Sequence, residues 1–328
     1  METILQWGLD CVRLIQTQAS PPLNFIMRII TELGSSYTYL ILIPFIYWCV
    51  DEKKGVRLAV AVLISAWVNI ALKLFLDQPR PFFDGYDPSA DILGIKERLG
   101  GFPSGHAQNS LVLWIIIASW VKKKPAYTIA AYAAAVFFCL LVGFSRVYLG
   151  AHFPTDVFGG WLLAGIILCV YFLAAGRIEA LLATRGNRAG LIACAALAFI
   201  MILYQPSRDA DILKYLFMPA GLLLGMGTGR FFCGRYIGFS ASSERTGAAK
   251  YLNLCVRFLL GITVMFLLYV GAGKIVGRFI QNSNFRLFIF LRYIITALWV
   301  SAGAPWLFRM LRLTENVDKN VIHYQEHE

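Results

Sequence analysis

Charge is scarce in this chain. Of 328 residues only 15% are Asp, Glu, Lys or Arg, while 58% are hydrophobic, and the mean hydropathy of +0.64 lies outside the range of water-soluble globular proteins. The deficit excludes a soluble domain and leaves an integral membrane protein. Acids are scarcer than bases, 19 against 30, and no group of them resembles a carboxylate-rich magnesium cage. The seven cysteines, from Cys11 to Cys255, lack the paired C-x-x-C spacing and fall mostly inside apolar runs, so they read as small packing residues rather than disulfide or metal ligands. The formal charge of +11 is spread between apolar runs instead of gathered into one stripe, which argues against nucleic acid and for membrane topology signals. The chain opens Met1-Glu2 with no basic stretch before an apolar core, so the first span, not a cleaved leader, is expected to direct insertion.

What is abundant is long apolar sequence. Nine segments are candidates for spanning helices, at about 34–50, 56–76, 104–121, 126–144, 156–175, 189–204, 212–232, 250–271 and 285–308. The expected fold is therefore all-α, a polytopic membrane helical bundle with a five-span core over 34–175 and a four-span extension with a cytoplasmic tail over 176–328. Residues 1–33 form an amphipathic stretch broken at Pro21-Pro22, expected to lie along the membrane interface. With the 51–57 loop placed in the cytoplasm, the inside segments hold sixteen Lys and Arg and the outside segments nine, with Lys73, Arg80 and Arg146 left out of the count. This predicts an outside N-terminus and an inside C-terminus.

Three short clusters interrupt the apolar runs: Lys73 to Arg80-Pro81, then Pro103-Ser104-Gly105-His106, then Ser145-Arg146 followed by His152 and Asp156. Each sits at the end of a candidate span. Two crossings separate the second cluster from the third, so all three are predicted to meet on the outer, non-cytoplasmic face. Together they supply three cations, two imidazoles, a hydroxyl and a carboxylate, the groups that phosphoryl transfer without a metal calls for. Lys73, Arg80 and Arg146 suit the equatorial oxygens of a phosphoryl group, and arginine binds two oxygens at once. Ser104 and Gly105 open the third span, where unsatisfied backbone N–H groups face an anion; an ordinary helix cap is the other reading of this tetrapeptide. Asp156 lies four residues after His152, a spacing that lets a carboxylate hold one ring nitrogen and leave the other free to attack phosphorus. The chain has only four histidines, and two of them are in these clusters.

In this order the motifs Lys-x6-Arg-Pro, Pro-Ser-Gly-His and Ser-Arg-x5-His-x3-Asp resemble the three-part motif of the type 2 phosphatidic acid phosphatase superfamily. That group includes lipid phosphatases, glucose-6-phosphatases, bacterial acid phosphatases and vanadium haloperoxidases. The resemblance covers about residues 20–175 with no motif position missing. It implies that His152 is a nucleophile forming a phosphohistidine, that Asp156 orients it, and that His106 is the general acid. It further implies that Lys73, Arg80, Ser104, Gly105 and Arg146 bind phosphate, with no metal and no other cofactor. The expected substrate is a phospholipid or isoprenoid phosphate in a plasma or inner membrane: a phosphatidic acid, phosphatidylglycerol phosphate, polyprenyl diphosphate or sphingoid phosphate. A phosphotransferase with the same intermediate, a glucose-6-phosphatase-like sugar phosphatase and a non-catalytic lipid-phosphate-binding protein are the alternatives, the last disfavoured because both histidines are kept.

Four further features stand beside the motif. Arg257 and Arg292 lie inside candidate spans, where a charge has either a functional role or a snorkelling or pairing one. Gly225, Gly227 and Gly229 alternate before Arg230, which reads as close helix packing. Asp84, Asp87, Asp91 and Glu97 make the loop before Pro103 acidic, as a lid or as a passive connection. His323 and His327 have a metal-like spacing but no companion ligands.

Overall fold

The computed structural model describes residues 2–82, 91, 92, 94, 99–122, 124–204, 210–242, 245–278 and 285–314. Asp84, Asp87 and Glu97 of the acidic loop, and His323 and His327 of the tail, lie outside the described residues. Eleven helices follow one another among those described: α1 (Glu2–Gln16), α2 (Pro21–Glu32), α3 (Ser36–Cys49), α4 (Glu52–Leu76), α5 (Gly105–Ala118), α6 (Pro125–Tyr148), α7 (Pro154–Leu203), α8 (Ala210–Phe232), α9 (Gly247–Arg278), α10 (Phe285–Leu298) and α11 (Ala304–Met310). Single π-helical turns at Cys233–Ile237 and Trp299–Gly303 extend α8 and join α10 to α11.

The chain is all-helical among these residues, as its composition implies, but the number of spans differs. Among the described residues six helices are long and apolar enough to cross a membrane, or seven if α2 and α3, bent by 45°, form one span. Nine is not reached for two reasons. Helix α5 has only 14 residues, about 21 Å at 1.5 Å per residue, short of a hydrocarbon core of about 30 Å. Of the 50-residue α7 only Pro154–Ile178 qualifies as a span, and its far end, Arg188–Leu203, where the sixth segment was expected, is an apolar helix too short to be another.

Two compact units divide the chain, one of Met1–Tyr39 with Ile64–Phe172 and one of Leu40–Leu63 with Leu173–Glu328. Burying apolar side chains against one another gains little over lipid, so close packing and buried hydrogen bonds must hold such helices together. In the first unit glycines allow the approach. A methyl on Gly143 of α6 would strike Trp161 and Val157 of α7, and one on Gly160 would meet the Ser104 carbonyl at 2.6 Å. A polar seam joins α4 to α5: Ser65 Oγ donates to Asn109 at 2.6 Å, Gln108 Nε2 donates to the Ser65 carbonyl at 2.8 Å, and Asn69 Nδ2 donates to Gln108 Oε1 at 2.7 Å. Helix α1 packs Leu5 and Leu9 on Phe153 and sets Val12 among Ala107, Val147 and Val157.

In the second unit α8 lies against α10 along Gly221, Gly225 and Gly229, where side chains would meet Phe290 and Tyr293, Ile294 and Ala297, and Ser301 in turn. Gly227 instead faces Cys194 of α7. The alternating glycines are thus a packing device, as their spacing in an apolar run implied. Tyr47 and Trp48 donate to the carbonyls of Ser301 and Val300 in the π-helical turn, at 3.0 and 2.8 Å. Arg257 is buried and its guanidinium donates to the carbonyls of Leu313, Ala241 and Ser242, an assignment to structural tying rather than to snorkelling.

Candidate active site

The three clusters meet inside the first unit. Helix α4 carries Lys73 in its last turn, and the chain then turns through Asp77, with φ +40°, to present Gln78 and Arg80. Both cations grip the same stretch of backbone. Lys73 Nζ donates to the carbonyls of Gly100 and Gly101, each at 2.7 Å. Arg80, with no exposed surface, donates from Nε to the Leu99 carbonyl at 3.1 Å and from Nη2 to Gly100 at 3.4 Å. The strand of carbonyls before Pro103 therefore orients the cations before any anion arrives.

Helix α5 begins at Gly105. Ser104 is its N-cap, with an extended backbone and a side chain that accepts from the Ala107 N–H, and it is wholly buried. Gly105 has no side chain because a Cβ there would lie 2.9 Å from Asn69 Oδ1. Asn69 also donates to the Pro103 carbonyl at 3.1 Å, so the polar seam of α4 clamps both sides of the Pro-Ser-Gly-His turn. His106 follows in the first turn of α5, half-buried, within electrostatic reach of His152.

The third cluster is built by a helix ending. Gly150 has φ +73°, the left-handed conformation glycine adopts without steric cost. Its N–H donates to the Val147 carbonyl at 3.0 Å and the Ala151 N–H to the Arg146 carbonyl at 3.0 Å, the paired bonds of a Schellman stop. That stop fixes Arg146 in the last turn of α6 and delivers His152 two residues past the glycine. Arg146 Nη1 donates to Thr31 Oγ1 of α2 at 3.1 Å.

His152 and Asp156 form the expected pair. His152 Nδ1 lies 3.1 Å from Asp156 Oδ2, which also accepts from the Phe153 N–H at 3.0 Å. The other carboxylate oxygen, Oδ1, accepts from Gln78 Nε2 at 2.9 Å. With Nδ1 committed to Asp156, Nε2 keeps its lone pair, and Arg80 Nη1 stands 3.4 Å from it while donating to the Ala151 carbonyl at 3.1 Å. Burial holds the His152 ring well below the usual imidazole pKa, and Arg80, Lys73, Arg146 and His106 press it in the same direction. Both influences favour the neutral ring, the form that can attack.

Every residue singled out in the motif is thus placed in one unit. Lys73, Arg80, Ser104, Arg146, His152 and Asp156 are buried, and Gly105 and His106 open α5 beside them. The motif alone did not point to Gln78, Asn69, Gln108, Gly101 or Thr31. A signal existed for some of them: Asn69 and Gln108 are polar side chains in apolar helices, where such residues carry function by default, and Gln78 lies between two motif positions. Gly101 and Thr31 had none, since their roles depend on what folds against them. A Cβ on Gly101 would stand 2.9 Å from both Asp156 Oδ2 and the Pro79 carbonyl.

An all-helical membrane chain carrying this cluster is an integral membrane phosphatase. The chain belongs to the PAP2 superfamily, whose domain matches residues 54–179, and the transmembrane extension of PAP2 superfamily phosphatases matches residues 217–316. Phosphatidylglycerophosphatase B of Bacillus subtilis is 34% identical over 172 residues, 48% of this chain and 77% of that protein. Mouse sphingosine-1-phosphate phosphatase 2 is 25% identical, over 63% of this chain and 59% of its own length. Rat glucose-6-phosphatase 3 is 30% identical, over 51% of this chain and 53% of its own length. The chain thus spans little more than half of these two mammalian relatives.

Proposed function

We propose that this protein hydrolyses a phosphomonoester or diphosphate carried on a membrane lipid, through a phosphohistidine on His152. In the first step Nε2 forms a bond to phosphorus as the bond from phosphorus to the lipid oxygen breaks. His106 gives its proton to that departing oxygen. Asp156 holds Nδ1–H and stabilises the positive ring that results, while Lys73, Arg80 and Arg146 neutralise the equatorial oxygens together with the Ser104 hydroxyl and the backbone N–H groups that open α5 at Gly105. In the second step His106 takes a proton from water, the water oxygen bonds to phosphorus, and the phosphorus–nitrogen bond breaks to release inorganic phosphate.

The observation that carries this reading is the arrangement around one ring: a carboxylate on Nδ1 and a guanidinium beside Nε2, in a buried turn. A lipid substrate is supported by the position of the cluster at helix ends in a membrane protein, the depth of a lipid head group. The face is the non-cytoplasmic one on the charges of the flanking loops: Lys53, Lys54, Arg57, Lys122 and Lys124 stand at the opposite ends of α4, α5 and α6, and such residues favour the cytoplasm. The test is phosphate release by the detergent-purified protein in EDTA, over a panel of lipid phosphates plus glucose 6-phosphate, with His152→Ala as control. Lipid-dependent release that the variant loses entirely, at unchanged thermal stability, is the expected result. Turnover by His152→Ala at the wild-type rate refutes the mechanism.

The similarity to a glucose-6-phosphatase keeps a soluble sugar phosphate as a second reading, and release from glucose 6-phosphate without any lipid dependence selects it.

A further inference from the structure

Arg257 and Arg292, both singled out inside apolar runs of the extension, are used differently. Arg257 spends its guanidinium on three backbone carbonyls. Arg292, on α10, donates once, from Nε to the Tyr269 carbonyl at 3.1 Å. Its guanidinium carbon lies 3.9 Å from the centre of the Tyr269 ring and 5.7 Å from that of Tyr293, close enough for cation–π attraction. Gly273 of α9 makes the room, since a Cβ there would press on Nη2 at 2.9 Å. An arginine has five N–H donors, so the four on Nη1 and Nη2 have no acceptor among the described residues.

Depth and charge narrow what those donors meet. Arg292 is the sixth residue of the candidate span Leu287–Met310, and Tyr269 is the sixth from the end of Gly247–Lys274. At 1.5 Å per residue both lie about 7–8 Å inside the span ends, near the interfacial belt in which tyrosine is enriched. From Arg245 to Thr314 the chain has nine Lys and Arg residues and no Asp or Glu, so no carboxylate from this stretch neutralises the guanidinium. We infer that Arg292, stacked on Tyr269 beside Gly273, is a binding site for the phosphate of an anionic membrane lipid, separate from the phosphate cluster around His152. Arginine suits that ligand because two of its nitrogens pair with two phosphate oxygens at once. The aromatic ring and the single carbonyl bond hold the guanidinium in place before the lipid arrives.

The experiment is thermal unfolding of the full chain in detergent, titrated with phosphatidylglycerol or phosphatidylcholine, with saturating inorganic phosphate present to occupy the cluster around His152. Wild type is expected to gain stability with phosphatidylglycerol and not with phosphatidylcholine, and Arg292→Gln to need at least about tenfold more phosphatidylglycerol for the same gain. Arg292→Lys keeps part of the response. His152→Ala keeps all of it, so a failed mechanism and a failed lipid site are read separately. Equal gains from the two lipids in wild type, a gain from inorganic phosphate alone that leaves nothing for the lipid to add, or an undiminished response in Arg292→Gln overturns the inference. Should Arg292→Gln not fold, Gly273→Ala crowds the guanidinium with one methyl and is expected to weaken the response to phosphatidylglycerol. An unchanged response in that variant overturns the inference equally.

Discussion

Replacing Gln78 by alanine removes a hydrogen bond at the candidate site and leaves every motif residue in the sequence unchanged. Its amide donates to Asp156 Oδ1 at 2.9 Å, while Oδ2 of the same carboxylate serves His152 and the Phe153 N–H. Hydrogen bonds to a charged group contribute about 1.5–3 kcal/mol. At 1.36 kcal/mol per tenfold in rate, losing one that matters only as the His152 ring becomes positive lowers kcat by about 10–100-fold. Because Gln78 acts through Asp156 and not on the phosphate, KM is expected to stay within about threefold. Asp156→Asn puts an amide where the ring needs an acceptor and costs more, about 10³–10⁴-fold by analogy with other carboxylate–histidine pairs. The double variant is the decisive measurement. If the two residues form one unit, Gln78→Ala in the Asp156→Asn background causes little further loss. Phosphate release under saturating lipid substrate gives all four rates. Losses that multiply in the double variant refute the coupling, and a raised KM at unchanged kcat assigns Gln78 to the substrate instead.

Three further outcomes follow from the geometry. His152 must be neutral to attack, and its pKa is depressed by burial and by Arg80, Lys73, Arg146 and His106. The rate therefore falls on the acid side only below the ordinary histidine value of about 6.5, and Arg80→Gln, which removes a neighbouring cation, moves that limb toward higher pH; a limb that stays in place in a kcat/KM profile contradicts the assignment. Gly101→Ala pushes a methyl to 2.9 Å from Asp156 and from the Pro79 carbonyl, for an expected stability loss of about 1–3 kcal/mol with kcat reduced more than tenfold, both read by thermal unfolding and turnover. Gly150→Ala forces a side chain into φ +73°, which costs about 1–2 kcal/mol, lowers Tm and loosens Arg146 and His152 together; an unchanged Tm with full activity argues that the Schellman stop is dispensable.

Much of this protein was legible along the chain because membrane insertion constrains sequence so strongly. Apolar runs long enough to span, basic loops, and chemistry confined to run ends are local properties that lipid imposes before any helix packs. They set the helical membrane class. The motif's short spacings also did their work locally, since Pro103 to His106 start a helix, and Gly150 stops another two residues before His152.

Other features were decided only by tertiary structure. The span count changed because α5 and Arg188–Leu203 are helices too short to cross a membrane, and hydropathy alone does not say where a helix ends. Arg80 stands beside His152 although 71 residues separate the two in the chain, and no periodicity connects them. Gln78 completes the shell of Asp156, and Thr31, from a helix before the family domain, holds Arg146. For Arg257 and Arg292, alike in sequence as charges inside apolar helices, the fold alone separates a guanidinium spent on carbonyls from one stacked on an aromatic ring with donors to spare. Sequence determines which groups a chain carries and how far apart they lie along it. Whether a donor meets a carbonyl, a carboxylate or an empty position depends on distances across the packed helices, which exist only after folding.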